Sequence, residues 1–591
     1  MPYWNLNVRV LQGKFSRTYD LLSKCDCYVV LKLPTACACC HRTKTVKNSD
    51  APKWNETFRF RVHSGVKNIL EFHIFDADKL TKDDYCSTIL FDISNLTPGQ
   101  KQTKCFITDD KIDVTSQVPL VAVVCSGGGT RAMCGTFGGL RALQKLQLLD
   151  TVSYITGVSG STWTMASLYG DANWSNNDLN GVMESVKKEI SKSVFSIFSP
   201  EQLRHYKEKM EEREEEGLLV SLIDMWGLAI EYLIQGKKQM GTLSDQQMAL
   251  SKGQNPLPIY TALNMKNSKT GCTIETEWCE FTPYEVGFTK YGVFIPAQNF
   301  GSEYYLGHMV KKLPESGIYS LLVKMCCWLV TGSVYHPPLS IDTDDKSSTS
   351  DTLQVSPKTD LAKKLSIFLT CRPIISQVFN FLRGFHLHRN YSENCDFTTW
   401  KDTHPDAFPN SLTPADATLG LVDSAFVIKS GFPPVLRCNR RADVILSLNY
   451  AWDPDHFKVI KQTQEYCAER KIPFPKIDYK KLESEPIREV YVFEDKENPD
   501  VPIVIHFPLV NVSFKQFKSP GEYQGKAEMK DGDFDIDFTS LLSPFSTLNL
   551  TYQPEDFQKL TNLTTYNILN NTDVILNTLN KLRLTAGAIG Q

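Results

Sequence analysis

The chain has 591 residues, 42% hydrophobic and 22% charged, with a formal net charge of -3. That length exceeds one ordinary core and implies two or more domains, and the composition is that of a globular protein. The near balance of charge excludes a general nucleic-acid binder, so any basic surface has to be local.

The opening residues, MPYWNLNVRVLQGKF, alternate apolar and polar positions and carry early charges, which reads as a strand and not as a secretory signal. A cytoplasmic protein is expected. Up to about residue 105 the chain offers short strands parted by turn residues: LNVRVLQGKF, CYVVLKL, NETFRFRV, NILEFHIFD and STILFDIS. This is the pattern of an all-β antiparallel sandwich. TACACC, residues 35–40, reads as a loop, and the 17 cysteines show no pairing rhythm, which fits reduced, mostly buried thiols.

Acidic residues of this region gather between the strands, with Asp20 and Asp26 in one place and Asp76, Asp78 and Asp84 in FDADKLTKDDY. Aspartates favour turns, but several crowded at one end of a sandwich also suit calcium, which takes six to eight oxygen ligands. CDCYVVL and APKWNETFRF resemble the C2 type of calcium-dependent membrane-targeting domain, with Cys27 where that family usually has proline. The resemblance implies a calcium site built from Asp20, Asp26, Asn48, Asp76, Asp78 and Asp84, with Ser23 replacing a further aspartate. It also implies that Leu21, Leu22 and Leu80 enter lipid once calcium neutralises the loops.

From SQVPLVAVVCSGGGTRAMCGTFGGLRALQKL onward the texture changes to apolar strands, glycine turns and helical spacing, an α/β organisation. PLVAVVC is a buried strand and SGGGTRAM a turn into a helix, whose outward N–H groups hold anions. No lysine follows the glycines as in a nucleotide phosphate loop, and dinucleotide spacing is absent, so a nucleotide ligand is not expected. A second strand, turn and helix follows in YITGVSGSTWTMASLY, where Ser159 has small neighbours and Ser161 takes the last position of a Gly-x-Ser-x-Gly pattern. By itself this is either a structural turn or a nucleophile elbow. Together the two motifs put the backbone donors of Gly128 and Gly129 beside the Ser159 hydroxyl, an arrangement for acyl transfer.

SGGGTRAM and GVSGSTW resemble the two signatures of the cytosolic phospholipase A2 family, whose catalytic domain is a patatin-like α/β structure with a mixed central sheet. None of the 11 histidines stands in a motif that offers a base. The resemblance instead implies a Ser-Asp dyad, with the aspartate in LGLVDSAFVIKSGFPPVLRCNRRADVILSLNY, which makes Asp423 the base. Ala425 departs from the family's usual glycine. By the same resemblance Arg131 and Arg440 bind substrate phosphate, for which the planar guanidinium fork is suited, although either also fits a structural ion pair.

Two apolar stretches approach membrane-spanning length, LLVSLIDMWGLAIEYLI from Leu218 and GIYSLLVKMCCWLVTGSVY from Gly317, but Asp224, Glu231 and Lys324 interrupt them, and buried or groove-lining helices are expected. Residues 337–364 are polar and serine-rich without periodicity, a lid-like insertion. The family's long segment between sandwich and glycine turn is nearly absent around residues 110–117, where the chain is expected to omit residues or the sheet to lack elements.

The expected protein is therefore multidomain. Residues 1–110 form the C2-type sandwich and 111–591 the patatin-like hydrolase. It acts on the sn-2 ester of membrane phospholipid through an acyl-serine, with Ca2+ recruiting it from the cytoplasm to the membrane periphery and taking no part in the chemistry. A mainly lysophospholipase or transacylase activity uses the same acyl-enzyme, and a non-catalytic calcium-dependent membrane adaptor is the alternative from another class.

Overall fold

The computed structural model describes residues 3–13, 25–33, 37–49, 51–63, 68–77, 83–93, 96, 101, 103–104, 119–236, 241–267, 274–289, 293–324, 376–384, 416–437, 440, 442–451, 453–498, 501–523, 532–534, 536, 543–547 and 549–588. The expected lid-like insertion, and with it residues 337–364, lies outside them. The chain separates into two compact units, one built around Met1–Val118 and the other around Pro119–Leu387 and Thr399–Leu582.

The first unit holds six described strands: β1 (Tyr3–Gln12), β2 (Cys27–Leu33), β3 (Cys37–Arg42), β4 (Lys53–His63), β5 (Ile69–Asp76) and β6 (Asp84–Asp92). β1 pairs antiparallel with β4, and the other four form a sheet in the order β3-β2-β5-β6. Between the sheets lie Val29, Leu31, Leu33, Trp54, Phe60, Val62 and Leu70. Alternation along each strand places these apolar residues inward and leaves Asn5, Asn7 and Arg9 facing out. The expected loop at TACACC is in part β3, because Leu31 pairs with His41 and Leu33 with Cys37. Small side chains give this strand little local signal, and its neighbour β2 supplies the order. The structure also joins Cys25 to Cys27, against the expectation of reduced thiols, their Cα atoms lying 5.3 Å apart across Asp26.

Among the described residues the second unit is built on an 11-stranded mixed sheet. Its elements are β7 (Val121–Cys125), α1 (Gly129–Lys145), β8 (Val152–Gly157), α2 (Gly160–Leu168), α3 (Leu179–Ile190), α4 (Pro200–Glu215), α5 (Leu222–Gln235), β9 (Leu257–Asn267), β10 (Ile274–Phe281), β11 (Glu285–Phe288) and β12 (Val293–Pro296). They continue through the separate hairpin β13 (Glu303–Tyr305) and β14 (His308–Lys311), α6 (Ile318–Lys324), β15 (Ser376–Phe379), β16 (Thr418–Asp423), β17 (Val444–Asn449), α7 (Lys458–Glu469), α8 (Tyr479–Ser484), β18 (Tyr491–Phe493), β19 (Ile503–Pro508), α9 (Pro554–Asn570) and α10 (Thr572–Ala588). The strand path is β12-β11-β10-β9-β8-β7-β17-β19-β18, with β16 paired to β9 and to β15.

Five neighbouring strands, β9, β8, β7, β17 and β19, run parallel, and the outer ones are antiparallel. β7 is buried along its whole length, which explains why VAVVC is an unbroken apolar run instead of an alternating one. Two apolar clusters flank the sheet: Phe137, Leu140, Trp163 and Leu563 belong to one, and Leu263, Val422, Phe432 and Tyr466 to the other. The first doubtful membrane stretch folds as α5, whose Asp224 caps the helix start with Ser221 and pairs with Arg213. Among the described residues no helix is long and apolar enough to cross a membrane.

Candidate active site

The site lies where β7 and β8 end, at the carboxyl edge of the parallel strands. Past Cys125 the chain turns through Gly127 and Gly128 into α1. Gly128 has φ +144°, and a Cβ there would stand 2.9 Å from the Tyr450 carbonyl oxygen, so only glycine fits. The Gly127 N–H is committed to the Lys429 carbonyl at 2.9 Å. Gly128 and Gly129 then open α1, at the end of the helix that favours negative charge.

β8 ends at Gly157, and Ser159 follows with φ +53° and ψ -127°, a conformation rare for any residue with a side chain. Two neighbours clamp it. The Ser161 hydroxyl accepts the Val158 N–H and donates to the Val158 carbonyl, both at 2.9 Å, and the Thr162 hydroxyl donates to the Ser159 carbonyl at 2.6 Å. The glycine turn and this elbow touch: a Cβ on Gly127 would come within 3.1 Å of the Ser159 Cβ, and one on Gly160 within 2.0 Å of the Gly129 carbonyl oxygen.

Asp423 arrives from elsewhere in the sheet. It is the last residue of β16 and pairs with Ala262 of β9, while Gly157 pairs with Tyr260 of the same strand. β8 and β16 thus both pair with β9 and end two residues apart along it, about 7 Å, and the Ser159 hydroxyl faces Asp423. Asp423 is fully buried. Its Oδ1 accepts the Ala425 N–H at 2.9 Å, and its Oδ2 has no hydrogen-bond partner among the described residues. Burial pushes its pKa from 3.8 up to about 7, against smaller lowering effects of the Ala425 N–H and of the Ser159 hydroxyl facing it. Behind it the Ser424 and Thr261 hydroxyls meet at 2.8 Å and tie the strand end to β9.

The two expected phosphate-binding arginines sit in other surroundings. Arg131 is completely buried, its Nε donating to the Tyr450 carbonyl at 2.8 Å and its Nη1 to the Phe545 carbonyl at 2.7 Å, and burial lowers its pKa to about 10. Arg440 donates to Glu280 of β10 at 2.5 Å, and Arg437 reaches the same carboxylate oxygen at 2.8 Å. Glu280 and the clamps Ser161 and Thr162 escaped the sequence reading. Ser161 did leave a signal, since a hydroxyl stood where the elbow pattern has glycine. The buried His506 has both ring nitrogens engaged, with Ser447 at 3.0 Å and the His456 carbonyl at 3.1 Å, and burial brings its pKa down to about 4.

At the other unit's loop end the Asp26 N–H donates to Asp76 Oδ1 at 2.6 Å, and Asp26 Oδ1 accepts the Asn48 N–H at 2.7 Å. Asp84 is opposite Asp76 in the β5–β6 ladder. Asp26, Asn48, Asp76 and the backbone of Asp84 are thus gathered at one end of the sandwich. Asp20, Asp78, Leu21, Leu22 and Leu80 lie outside the described residues. Among the described residues no three carboxylate, histidine or cysteine groups converge on a metal position. The donors that are described are hard oxygens, the chemistry calcium takes.

Comparison with known proteins agrees with both units. Residues 4–107 match the C2 domain family, and residues 121–366 match the family described as lysophospholipase catalytic domain. Human cytosolic phospholipase A2 delta is 31% identical over 782 aligned residues, covering 98% of this chain and 95% of that protein. Human cytosolic phospholipase A2 zeta is 32% identical, covering 97% and 93%. An alignment longer than the 591-residue chain contains gaps, so these relatives carry segments with no counterpart here. The solved structure of human GIVD cytosolic phospholipase A2 overlays with a TM-score of 0.69 at 31% identity, covering 99% of both chains.

Proposed function

The chain belongs to the cytosolic phospholipase A2 family, and on that premise we propose that it hydrolyses the sn-2 ester of membrane glycerophospholipids, releasing fatty acid and lysophospholipid. The observation that carries this reading is the buried Asp423 carboxylate, raised to about 7, facing a serine on a strained elbow against a glycine turn. Ser159 is the nucleophile and Asp423 takes its proton, because a base titrating near neutral pH is matched to that task. The N–H groups of Gly128 and Gly129 hold the oxyanion of the tetrahedral intermediate, which collapses to an acyl-serine as protonated Asp423 gives its proton to the departing lysophospholipid oxygen. Water, deprotonated by Asp423, then attacks the acyl-serine, and as the fatty acid leaves Asp423 returns the proton to the Ser159 oxygen and the enzyme is restored.

Residues 1–110 act as the membrane-docking domain and 111–591 as the catalytic one. Asp26, Asn48, Asp76 and Asp84, with Asp20 and Asp78, would hold calcium, whose charge offsets the acidic loop end. Leu21, Leu22 and Leu80 would then enter the lipid, which places the protein in the cytoplasm until calcium rises. Arg131 supports the glycine turn through the two carbonyls it binds, and a headgroup role for Arg131 or Arg440 is assigned to substrate kinetics of their glutamine variants.

One observation favours a second reading: the match of residues 121–366 is to a lysophospholipase catalytic domain, and the same acyl-enzyme serves lysophospholipid hydrolysis or acyl transfer. Vesicles with positionally labelled acyl chains decide between them. Calcium-dependent sn-2 release that vanishes in Ser159→Ala and Asp423→Asn supports the proposal. Release from lysophospholipid alone, or transfer to an added acceptor, supports the second reading, and near-parental turnover by Asp423→Asn refutes the dyad.

A further inference from the structure

The bond between Cys25 and Cys27 encloses a single residue, Asp26, one of the calcium ligands proposed above. Disulfides in a reducing cytoplasm are seldom structural, and those that form there are mostly transient or redox-sensing. What this one holds is the centre of the acidic loop end.

Residues 25–27 are the hub between the segments that carry Asn48 and Asp76. Toward Asn48, the Ser49 N–H donates to the Cys25 carbonyl at 3.0 Å, Cys27 and Val46 exchange backbone bonds of 3.0 and 2.9 Å, and Asp26 Oδ1 accepts the Asn48 N–H. Toward the other side, Cys27 is opposite Asp76 in the β2–β5 ladder, the Asp26 N–H donates to Asp76 Oδ1, and the Asp26 carbonyl accepts the Ala77 N–H at 3.0 Å. The Trp54 indole adds a bond from its Nε1 to the Cys27 carbonyl at 3.2 Å. Cys27 already belongs to β2, whereas Cys25 and Asp26 precede that strand. For these two the cross-link is a covalent restraint on the backbone torsions that set the Asp26 carboxylate against Asn48 and Asp76.

We propose that Cys25 and Cys27 form a reversible redox site that sets the calcium affinity of this loop end. The inference rests on the calcium reading of Asp26, Asn48 and Asp76 and adds a control on it. In the disulfide form Asp26 is preorganised, and calcium binding orders less of the chain. In the dithiol form Cys25 and Asp26 regain backbone freedom that binding must remove, and fixing one residue corresponds to about tenfold in affinity. The reductant is a small thiol such as glutathione. Its thiolate attacks one sulfur to form a mixed disulfide, and the other cysteine sulfur leaves and takes up a proton. A second glutathione thiolate attacks the glutathione sulfur of that mixed disulfide, the remaining cysteine leaves as a thiol, and the two glutathiones end as glutathione disulfide, oxidised by two electrons. Glutathione disulfide reverses the sequence. Both cysteines are buried, so exchange passes through an opening of residues 25–27. By linkage, calcium favours the disulfide by the same factor as the disulfide favours calcium.

The test equilibrates the full chain in glutathione buffers of stepped reduced-to-oxidised ratio, with calcium or with chelator, before quenching with an alkylating agent. The tryptic peptide of residues 25–32 holds no other cysteine, so its mass reads the state of the pair. Calorimetric calcium titration of the two end states reads affinity. The oxidised parent is expected to bind calcium about tenfold more tightly than the reduced parent. Saturating calcium is expected to raise the glutathione ratio at half-reduction, reduced squared over oxidised, by about the same tenfold. Cys25→Ser and Cys25→Ala are expected to bind calcium as the reduced parent does at every ratio. A pair that stays oxidised in excess glutathione, or stays reduced in excess glutathione disulfide, overturns the proposal. Equal calcium affinity of the two parental states does so too, as does a redox response of calcium binding in the Cys25 variants. A parent that binds calcium in neither state overturns the underlying calcium reading instead, and the switch falls with it.

Discussion

Asparagine in place of Asp423 removes a charge from the centre of the site while keeping an oxygen for the Ala425 N–H. The folded chain holds the Asp423 proton to about pH 7 and the unfolded chain only to an ordinary value near 3.8. The folded-state pKa is raised, so the group's favourable contribution is complete below the unfolded value and is lost as pH rises through the folded one. At about 1.4 kcal/mol per pH unit, the parent should lose about 3 kcal/mol relative to Asp423→Asn between about pH 5 and about pH 9. All other titrations cancel in the difference. Urea unfolding followed by tryptophan fluorescence reads it, because Trp163 and Trp174 are buried in the catalytic core. The variant should thus become the more stable protein on the alkaline side while its chemistry is lost. The rate at which a fluorophosphonate labels Ser159 gives the second reading: in the parent it should rise about tenfold per unit below pH 7 and level off above, and in the variant it should be slow throughout. A stability difference that is the same at both pH values, or a parental labelling rate indifferent to pH, would refute the burial argument for the base.

Other outcomes follow from the same geometry. Ser159→Gly, freed from the cost of a side chain at φ +53°, should exceed Ser159→Ala in stability by about 1 kcal/mol, measured by urea midpoint, with neither variant labelled by the fluorophosphonate. Gly160→Ala drives a methyl into the Gly129 carbonyl and should cost about 3 kcal/mol together with most of the labelling rate. Glu280→Gln leaves Arg437 and Arg440 facing each other without their shared carboxylate and should destabilise by about 3 kcal/mol, whereas Arg440→Gln, which leaves the Arg437 pair in place, should cost less. Calcium chelation should release the protein from vesicles and leave fluorophosphonate labelling in solution unchanged, since the proposed calcium ligands all belong to residues 1–110 and take no part in the proposed chemistry.

What was legible in the sequence was what local pattern encodes. CYVVLKL coincides with β2, VAVVC with β7, and the two glycine-rich turns with the turn before α1 and the elbow before α2. β3 was missed because its order comes from pairing with β2 and not from its own small residues. The resemblance singled out Asp423, but no periodicity could place it, since β16 joins β9 antiparallel from a remote part of the chain. The arginines show the same limit. Their residue type is compatible with phosphate or with an ion pair, and only the folded chain brings Glu280 to Arg440 and the Tyr450 carbonyl to Arg131.

The glycine turn is fastened from far downstream. Arg131 holds the Phe545 carbonyl, 414 residues away, and the Thr130 hydroxyl holds that of Leu550, 420 residues away, at 2.9 Å. Order of synthesis therefore matters to this site. The proposed nucleophile and oxyanion donors emerge from the ribosome early, but the Phe545 and Leu550 carbonyls that fasten the turn are made only after the described strands of the sheet have been translated. On the proposed mechanism a nascent chain carries Ser159 through most of its synthesis without a finished cradle, and the capacity to cut lipid is among the last properties it acquires.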